Sequence, residues 1–320
     1  RNIEVINMTQ YDYEYEVSIY CCTFNHEKYI RDALDGFFMQ KTDFEWKLVI
    51  HDDASTDGTQ AIIREYIDKY PEKIVSILQT ENQYSQGIDL KKIMSKYLKG
   101  KYIASCEGDD YWTDPYKLQK QYDFLEQNPE FSGCYHNIVE LNNKGEQVTS
   151  KEFPYKEEFE IEKRLNAKLP GQTASAFYRN IYMLLSDSQK QKFFECKANG
   201  DRKIAVTLSC LGKIKFLKNC MAAHRVIETE GDSWHARVYG KNMTQKKLEG
   251  WISLKEYTRE AFNEELDITD EEYHILWTSF SLFIKNRNRD NWNIFINVWS
   301  MLNKTNTQKI IFLLTYALKK

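Results

Sequence analysis

Two hydrophobic periods alternate over the first part of the chain, up to about residue 130. Short apolar runs predict strands, and apolar residues spaced three or four positions apart predict helices. The strands are predicted at 16–24, 46–52, 73–79 and 101–106, and the helices at 26–40, 55–70 and 89–98. This alternation is typical of an α/β domain, with a mostly parallel sheet that helices cover on both faces.

Polar residues follow each of the predicted strands. They stand at 23–25, 51–53, 79–82 and 107–110. The carboxyl ends of parallel strands meet at one edge of a sheet, and ligands of such sheets bind beyond that edge. We therefore expect the four segments to form one binding site along a rim of the sheet.

The chain is less regular from about residue 131 to 230 and helical after that. A hairpin turning at Asn143–Gly145, a strand over 171–179 and a helix over 201–212 are predicted. Residues 241–320 show no strand pattern. One helical face of this last part carries Trp292, Phe295, Trp299 and Leu302.

Composition narrows the class of protein. The 320 residues include 42% hydrophobic and 28% charged residues, as in a globular protein. A net charge of −3 provides no general attraction to nucleic acid, so no nucleic-acid partner is expected. Seven cysteines without a Cys-x-x-Cys pair indicate reduced thiols. No apolar run approaches the ~20 residues of a membrane span, and we expect a cytoplasmic protein.

Three acids stand close together after the fourth predicted strand: Glu107, Asp109 and Asp110. Two like charges about 4 Å apart cost roughly 1 kcal/mol in water and about 4 kcal/mol near a protein surface. Capping of the helix that begins near Pro115 is one explanation, but "TDP" at 113–115 already supplies a cap. The acids therefore favour a divalent cation completed by water and substrate phosphate. Gly108 would let a ligand approach the backbone closely.

A second acidic segment, "HDDASTDGT" at 51–59, fits the beginning of an EF-hand calcium loop. The bidentate glutamate that such a loop needs at its twelfth position is Arg64 here, so we reject this reading. Ser55 to Asp57 are explained by helix capping. Capping does not explain Asp52 and Asp53, whose carboxylates could accept hydrogen bonds from a nucleotide base or ribose.

Three segments together resemble one enzyme family. They are "VSIYCCTFNHEKYI" followed by Gln40, "HDDASTDGT", and "CEGDDYWTDPYKLQKQ". In this order and spacing they resemble the inverting nucleotide-sugar glycosyltransferases of family 2, with the GT-A fold, over about residues 1–230. The resemblance implies a GT-A domain over 1–240, with a nucleotide-binding half to about 130 and an acceptor half beyond it. Residues 241–320 would form a C-terminal helical region.

The resemblance also implies roles for the rim residues. The family's metal motif is usually Asp-x-Asp, and Glu107-Gly108-Asp109 takes its place here, so Asp109 would bind Mn²⁺ or Mg²⁺ directly. Glu107 would contact ribose or metal-bound water. Asp52 resembles the family's uracil-binding acid. The nucleotide-binding residues implied in this way are Thr23, Asn25, Asp52, Asp53, Glu107, Gly108 and Arg225.

The family needs a carboxylate that deprotonates the acceptor hydroxyl. The segment at 199–217 resembles the one that carries it, which makes Asp201 the candidate base; the alternative is that Asp201 only caps its helix. The later loop at 221–235 offers Arg225 to a diphosphate but has Ile227 where the family has histidine. Weaker candidates for metal, phosphate or sugar contacts are Asp110, His224, Trp234 and His235.

The resemblance implies an activity. A hexosyl or N-acetylhexosaminyl group would move with inversion from a nucleotide diphosphate, expected to be UDP, to a hydroxyl of a growing bacterial cell-surface glycan. The acceptor would be a glycan or a lipid-linked glycan. Two alternatives stay open: a catalytically silent nucleotide-sugar-binding or scaffold module, and a nucleotidyltransferase. The latter would need a glycine- and lysine-rich phosphate loop, which "CTFNHEKYI" at 22–30 does not offer.

The C-terminal segment is basic. From Lys285 onward, seven basic residues accompany a single acid, Asp290. Three interpretations are open for this segment. Its aromatic residues form an internal core, it contacts the anionic inner face of the cell membrane near a lipid-linked acceptor, or it packs against a partner chain such as a second copy. Composition does not choose between them.

Overall fold

A computed structural model of the chain describes residues 11–142, 144–148, 157–161, 169–226 and 243–317. Within these ranges nine strands form one sheet. The strands are β1 Tyr15–Thr23, β2 Trp46–Asp52, β3 Ile74–Leu78, β4 Gly100–Ser105, β5 Tyr111–Trp112, β6 Phe131–Leu141, β7 Phe159–Ile161, β8 Phe177–Arg179 and β9 Lys213–Arg225. The helices are α1 Ile30–Phe38, α2 Thr59–Lys69, α3 Leu90–Met94, α4 Lys117–Gln127, α5 Ile181–Leu184, α6 Asp187–Glu195, α7 Gly200–Leu211, α8 Met243–Phe262, α9 Thr269–Lys285, α10 Arg289–Met301 and α11 Asn306–Ala317.

The sheet has the strand order β3-β2-β1-β4-β8-β6-β9-β5, with β7 paired to β9. Its first half is parallel, because β1 pairs with β2 and β4, and β2 pairs with β3, all in parallel. In the second half β8 is antiparallel to both β4 and β6, whereas β9 is parallel to β6. The predicted α/β fold with C-terminal helices is therefore confirmed, and the sheet is mixed rather than parallel beyond β4.

Two hydrophobic clusters lie on opposite faces of the sheet. Alternate residues of a strand point to opposite faces, so Cys21 joins one cluster while Cys22 packs against the other. The first cluster packs under α1, α2 and α4, and Phe37 and Leu118 belong to it. The second lies under α3 and the helices from α5 onward. We call them the α1–α4 cluster and the α5–α10 cluster.

The C-terminal helices share the α5–α10 cluster with the sheet. Leu248, Trp251 and Leu254 of α8 are buried in it together with Phe193 and Leu208. Polar contacts fix the same interface, since Thr207 Oγ1 and the Tyr257 hydroxyl lie 2.8 Å apart. The interpretation of the C-terminal aromatics as internal core holds for Phe295, which is buried like its neighbour in the pattern, Leu302. Trp292, by contrast, is 44% exposed.

Two predicted strands of the middle region are shorter than expected. Over 171–179 only Phe177–Arg179 is a strand, because Thr173–Ser175 forms a 3₁₀ turn. The Ser175 hydroxyl donates to the carbonyl of Gln172 at 2.7 Å, a local bond that competes with strand pairing. The predicted hairpin closes with a hydrogen bond from Asn142 N to Glu146 O. Among the described residues its second strand is only an isolated bridge between Gln147 and Leu141. Asn143 lies outside the described residues.

The helix predicted over 89–98 ends at Met94. The next residues form 3₁₀-type hydrogen bonds between residues three apart, such as that from Tyr97 N to Met94 O at 2.8 Å. It reaches Gly100, the first residue of β4, where a Cβ atom would lie 2.5 Å from the backbone nitrogen of Ser18. The close approach of β4 to β1 therefore requires glycine at this position.

Candidate functional site

The four polar segments meet at the rim, as the pattern predicted. Thr23 and Asp52 are register partners at the ends of β1 and β2. The loop after β4 joins them, because Gly108 N donates to Cys22 O at 2.9 Å. The loop after β3 joins them too, because the Asn82 amide donates to Asp53 O at 2.9 Å. The candidate site is built on this rim.

The loop after β4 brings three carboxylates together. Glu107, Asp109 and Asp110 each offer an oxygen, and these oxygens all lie within 4.8 Å of one another. Glu107 is exposed to solvent at the residue level, but protein atoms around its carboxylate replace part of its hydration. This desolvation, followed by the charges of Asp109 and Asp110, raises the pKa of Glu107 to about 8. Desolvation likewise raises the pKa of Asp109.

Asp110 is held by protein groups. It is 2% exposed, and both of its oxygens lie 3.1 Å from His224 Nδ1. Arg225 N donates to the same carboxylate at 2.9 Å. Burial alone would lower the pKa of His224, but the hydrogen bond and charge of Asp110 raise it to about 9. Asp110 thus anchors the end of β9 to the acidic loop and leaves Glu107 and Asp109 as the acids free to bind a ligand.

Arg225 is also engaged within the protein. Its Nη1 donates to Asp109 O at 2.7 Å, and its Nη2 pairs with the Asp32 carboxylate of α1. The guanidinium carbon lies 4.5 Å from the ring centroid of Tyr111 and 5.1 Å from that of Tyr29. Sequence reasoning missed all four partners, since nothing in their local pattern points to residue 225. The expected contact of Arg225 with a diphosphate stays a prediction.

The acids after β2 are buried among protein donors. The Asp52 carboxylate accepts from Ser55 N at 2.9 Å, from the Ser55 hydroxyl and from Gln60 Nε2 at 2.6 Å. The Asp53 carboxylate accepts from the backbone nitrogens of Gln83 and Tyr84 at 2.7 and 3.1 Å. Both acids therefore hold rim loops in place. The expected role of Asp52 in binding a base stays a prediction.

Gly108 packs against side chains rather than facing an open space. A Cβ atom there would lie 2.7 Å from Thr23 Oγ1 and 3.0 Å from His26 Nδ1. Both of these atoms are buried and have no hydrogen-bond partner among the described residues. Asn25, with a φ of 56°, accepts from Thr56 N at 2.8 Å and shapes the loop beside them. Glycine at 108 is thus required by its neighbours, a reason different from the ligand approach expected from the sequence.

Asp201 reaches the same region from a distant part of the chain. It lies in the first turn of α7, whose N-cap position is Asn199, so Asp201 is not the cap itself. Its charge contributes to raising the pKa of Glu107. Lys91 acts on that pKa in the opposite direction, and its Nζ would lie 2.4 Å from a Cβ atom on Gly200. Lys91 is a site residue that the sequence pattern did not single out.

A buried ion pair sets the position of α7. Lys203 Nζ lies 2.9 Å from the Asp89 carboxylate, and the Lys203 side chain is only 4% exposed. The same carboxylate caps α3 by accepting from Lys91 N. This pair therefore joins the helix that carries Lys91 to the helix that carries Asp201. The remaining candidates, Trp234 and His235, lie outside the described residues.

The donor set fits a hard divalent cation. Glu107 and Asp109 offer carboxylate oxygens, the ligand type that Mg²⁺ and Mn²⁺ prefer. Desolvation, followed by the charges of Asp109 and Asp110, raises the pKa of Glu107, and a positive charge bound there would oppose this shift. His26 Nε2 lies 3.8 Å from Asp109, on the edge of the same group.

The chain has a GT-A fold, in which half of the sheet is parallel and an acidic loop lies at its rim. Within that class, the family model described as glycosyl transferase family 2 matches residues 18–184. The match spans more than half of the chain, and the chain belongs to this family.

Relatives and solved structures agree with the family. The chain is 44% identical over 138 residues to an uncharacterised protein of Mycobacterium tuberculosis, which is 43% of this chain and 39% of that protein. The putative glycosyltransferase EpsE of Bacillus subtilis is 32% identical over 113 residues, covering 35% of this chain and 39% of EpsE. These matches therefore span about two fifths of each relative. Crystalline TarS from S. aureus, in complex with UDP-GlcNAc, superposes with a TM-score of 0.56 at 18% identity, covering 88% of this chain and 79% of TarS.

None of the described helices is long and apolar enough to cross a membrane.

Proposed function

We propose that the chain is an inverting, metal-dependent glycosyltransferase. It moves a hexosyl or N-acetylhexosaminyl group from a UDP-sugar to a hydroxyl of a growing bacterial cell-surface glycan. The observation that carries the proposal is the meeting of two parts of the chain at one rim. Glu107 and Asp109 follow β4, and Asp201 reaches the electrostatic neighbourhood of Glu107 from α7.

The names of relatives support the donor and acceptor classes. WfgD of Escherichia coli, 30% identical over 131 residues, is named as a glucosyltransferase that uses UDP-Glc and a diphosphoundecaprenol-linked acceptor. TuaG of Bacillus subtilis, 32% identical over 109 residues, is named as a putative teichuronic acid biosynthesis glycosyltransferase. These names favour a UDP-sugar donor and a lipid-linked or surface glycan acceptor for this chain.

Each acid has a separate role in this proposal. Glu107 and Asp109 would hold Mn²⁺ or Mg²⁺, which when bound neutralises charge on the departing diphosphate. Asp201 accepts the proton of the acceptor hydroxyl as that oxygen attacks the anomeric carbon. A base across the sugar from the leaving group leads to inversion. Lys91, between Glu107 and α7, adds a positive charge on the side from which the acceptor arrives.

The nucleoside would bind beside these acids. Thr23 contributes a buried hydroxyl that is without a partner among the described residues. Asn25 and Asp52 stand next to it at the ends of β1 and β2. Arg225 and His224 hold the acidic loop from the other side through Asp109 and Asp110. Reorganisation of the Asp52 and Arg225 contacts would accompany donor binding.

Two variants separate binding from chemistry. Asp109→Asn should abolish the rise in melting temperature that UDP with Mn²⁺ produces, because the direct metal ligand is lost. Asp201→Asn should keep that rise and lose about a hundredfold to ten-thousandfold in turnover, the usual contribution of a general base. Turnover is measured as UDP release from UDP-sugars in the presence of an acceptor.

Asp187→Asn is the matched control, because Asp187 is a fully exposed acid in the first turn of α6. It should change neither binding nor turnover. Unchanged turnover in Asp201→Asn would remove Asp201 from the mechanism. Metal-dependent UDP binding without any turnover in the parent chain would instead favour a silent nucleotide-sugar-binding module.

A further inference from the structure

The junction of α9 and α10 exposes apolar side chains at the molecular surface. We call residues 282–292 the α9–α10 tip. Leu282 is 38%, Ile284 46% and Trp292 44% exposed. Leu282 and Ile284 stand two positions apart on a helix and so point to different sides. A helix end that is apolar on several sides is normally buried, which indicates that another surface covers this tip.

The tip is also positively charged. Lys285, Arg287 and Arg289 are all exposed, and Asp290 is the acid among them. No carboxylate of the described residues forms an ion pair with any of these three cations. These three cations lie next to the exposed apolar side chains of the tip.

The tip is held in a defined conformation. The Asn288 side chain caps α10 by accepting from Asn291 N at 2.8 Å. The Asn291 amide donates to Asn286 O at 2.9 Å and so closes the turn. The ring of Trp292 packs on Phe283, with ring centroids 4.9 Å apart. The tip therefore presents its apolar and cationic groups together, without first having to fold.

We propose that the α9–α10 tip docks the protein on an anionic phospholipid surface. Trp292, Leu282 and Ile284 enter the boundary between headgroups and acyl chains, where tryptophan is favoured. The three cations stay at headgroup level, since their long stems can lie along apolar surface while their charges face phosphate.

A second copy of the chain fits the tip less well. A symmetric contact between two tips would place the same three cations against one another. A lipid surface supplies opposite charge over its whole area, without needing a matching pattern. The docking proposal does not depend on the proposed transfer reaction, and it selects one of the interpretations that composition left open.

Vesicle binding tests the proposal. The chain is sedimented with vesicles of phosphatidylcholine alone and with vesicles of phosphatidylcholine and phosphatidylglycerol in equal amounts. We expect binding to the anionic vesicles that weakens as salt is added. Arg287→Gln with Arg289→Gln should weaken partitioning roughly thirtyfold, at about fivefold for each cation. Trp292→Gln should weaken it independently and remove a blue shift of tryptophan fluorescence.

Arg64→Gln with Lys69→Gln is the matched control, because it removes two exposed cations from α2. This control should bind as the parent does, and circular dichroism should show the same fold for all variants. Equal binding to neutral and anionic vesicles would overturn the proposal, as would equal loss in the tip and control variants. A dimer in sedimentation velocity that the tip variant abolishes, without vesicle binding, would assign the tip to a second copy and overturn it too.

Discussion

Three neighbouring acids of the same loop have different surroundings. Asp110 is buried and held by His224 and the backbone of Arg225, whereas Glu107 is exposed and Asp109 lies 3.8 Å from His26 Nε2. The sequence shows three similar carboxylates. Only the return of β9 to the loop, from a hundred residues further on, distinguishes the structural acid from the two that can bind a ligand.

Lys117 is a buried residue whose ionisation should be visible in stability. It is fully buried, its Nζ donates to Gln121 Oε1 at 2.8 Å, and it lies 4.1 Å from the ring centroid of Trp112. Burial lowers the pKa of Lys117 to about 7. The unfolded chain therefore binds more protons between pH 7 and the ordinary pKa of about 10.4, and the free energy of unfolding should rise with pH in that window.

Lys117→Met should remove this dependence. The stability of the parent relative to Lys117→Met should increase by up to about 4 kcal/mol from pH 7 to pH 10. Urea unfolding at several pH values measures the difference, so that other titrating groups cancel. A difference that stays constant with pH, or falls, would contradict a depressed pKa at Lys117. The difference in the free energy of unfolding at any single pH is not the test, because the substitution also removes the hydrogen-bond partner of Gln121.

Ala54 offers a second prediction at this scale. It has a φ of 62°, in the left-handed region that favours glycine. Ala54→Val should lower the free energy of unfolding by about 1–2 kcal/mol, since a branched Cβ makes that conformation more costly. Ala54→Gly should be close to neutral, because relief of strain is offset by greater freedom of the unfolded chain.

Ala61→Val on the exposed side of α2 is the control for Ala54→Val, with an expected cost below about 0.7 kcal/mol from helix propensity alone. Thermal and urea unfolding measure both variants. Equal costs at the two positions would mean that the backbone at residue 54 is not strained.

Among the elements, α3 and α7 depend on each other through Asp89 and Lys203. Asp89→Asn keeps an N-cap but leaves the Lys203 ammonium buried without its partner, and should cost about 3 kcal/mol. Lys203→Met should cost less, because Asp89 is 29% exposed and can be hydrated. The double variant should be more stable than Asp89→Asn alone. Urea unfolding of the four proteins forms a double-mutant cycle, and additive losses would show that the pair does not interact.

The strands and helices of the first half were predictable because each carries its own pattern. β1 to β4 are short apolar runs, and their parallel order follows from the helices between them. The strand predicted over 171–179 is longer than the observed one, because its first residues form local hydrogen bonds instead. The Trp112 indole N–H also donates a hydrogen bond to Ala174 O. A contact from residue 112 leaves no trace in the pattern around 174.

On the face of the sheet that the C-terminal helices cover, the sheet and these helices share one hydrophobic core. Trp251 and Leu254 are buried against the sheet domain, and Lys197 N donates to Ser253 Oγ at 3.1 Å. We therefore expect residues 1–320 to unfold in one cooperative transition. The predicted domain boundary at residue 240 stays a prediction. The shared core argues against independent folding of residues 1–240 and 241–320.

A fragment of residues 1–240 should lack a fixed fold on that side, because removal of α8 exposes Phe193 and Leu208. Near-ultraviolet circular dichroism and calorimetry should show weakened tertiary structure or aggregation. Removal of 306–320 alone is the control, since α11 contributes only partly buried residues, Phe312 and Leu313, to this cluster and exposes Ile310, Ile311 and Leu314. A fragment 1–240 that melts cooperatively at the parent temperature would show two independent domains.

The candidate site was predictable only in part. Its location followed from the strand ends, which any parallel sheet brings together. Asp201 could be assigned only by resemblance, because the pattern does not say which distant helix faces the rim. Lys91 and His26 were missed, as their proximity to the acids depends on the packing of α3 and of the loop before α1.

The separation of the α1–α4 cluster from the α5–α10 cluster bears on how such a chain can diverge. A substitution under α1 leaves the side chains packed against α8 untouched, because the sheet lies between them. The energetic effects of core substitutions on the two faces should then simply add. Descendants of this chain could accumulate changes on the face that bears α6 to α8, while the side chains beneath α1 and α2 stay unaltered.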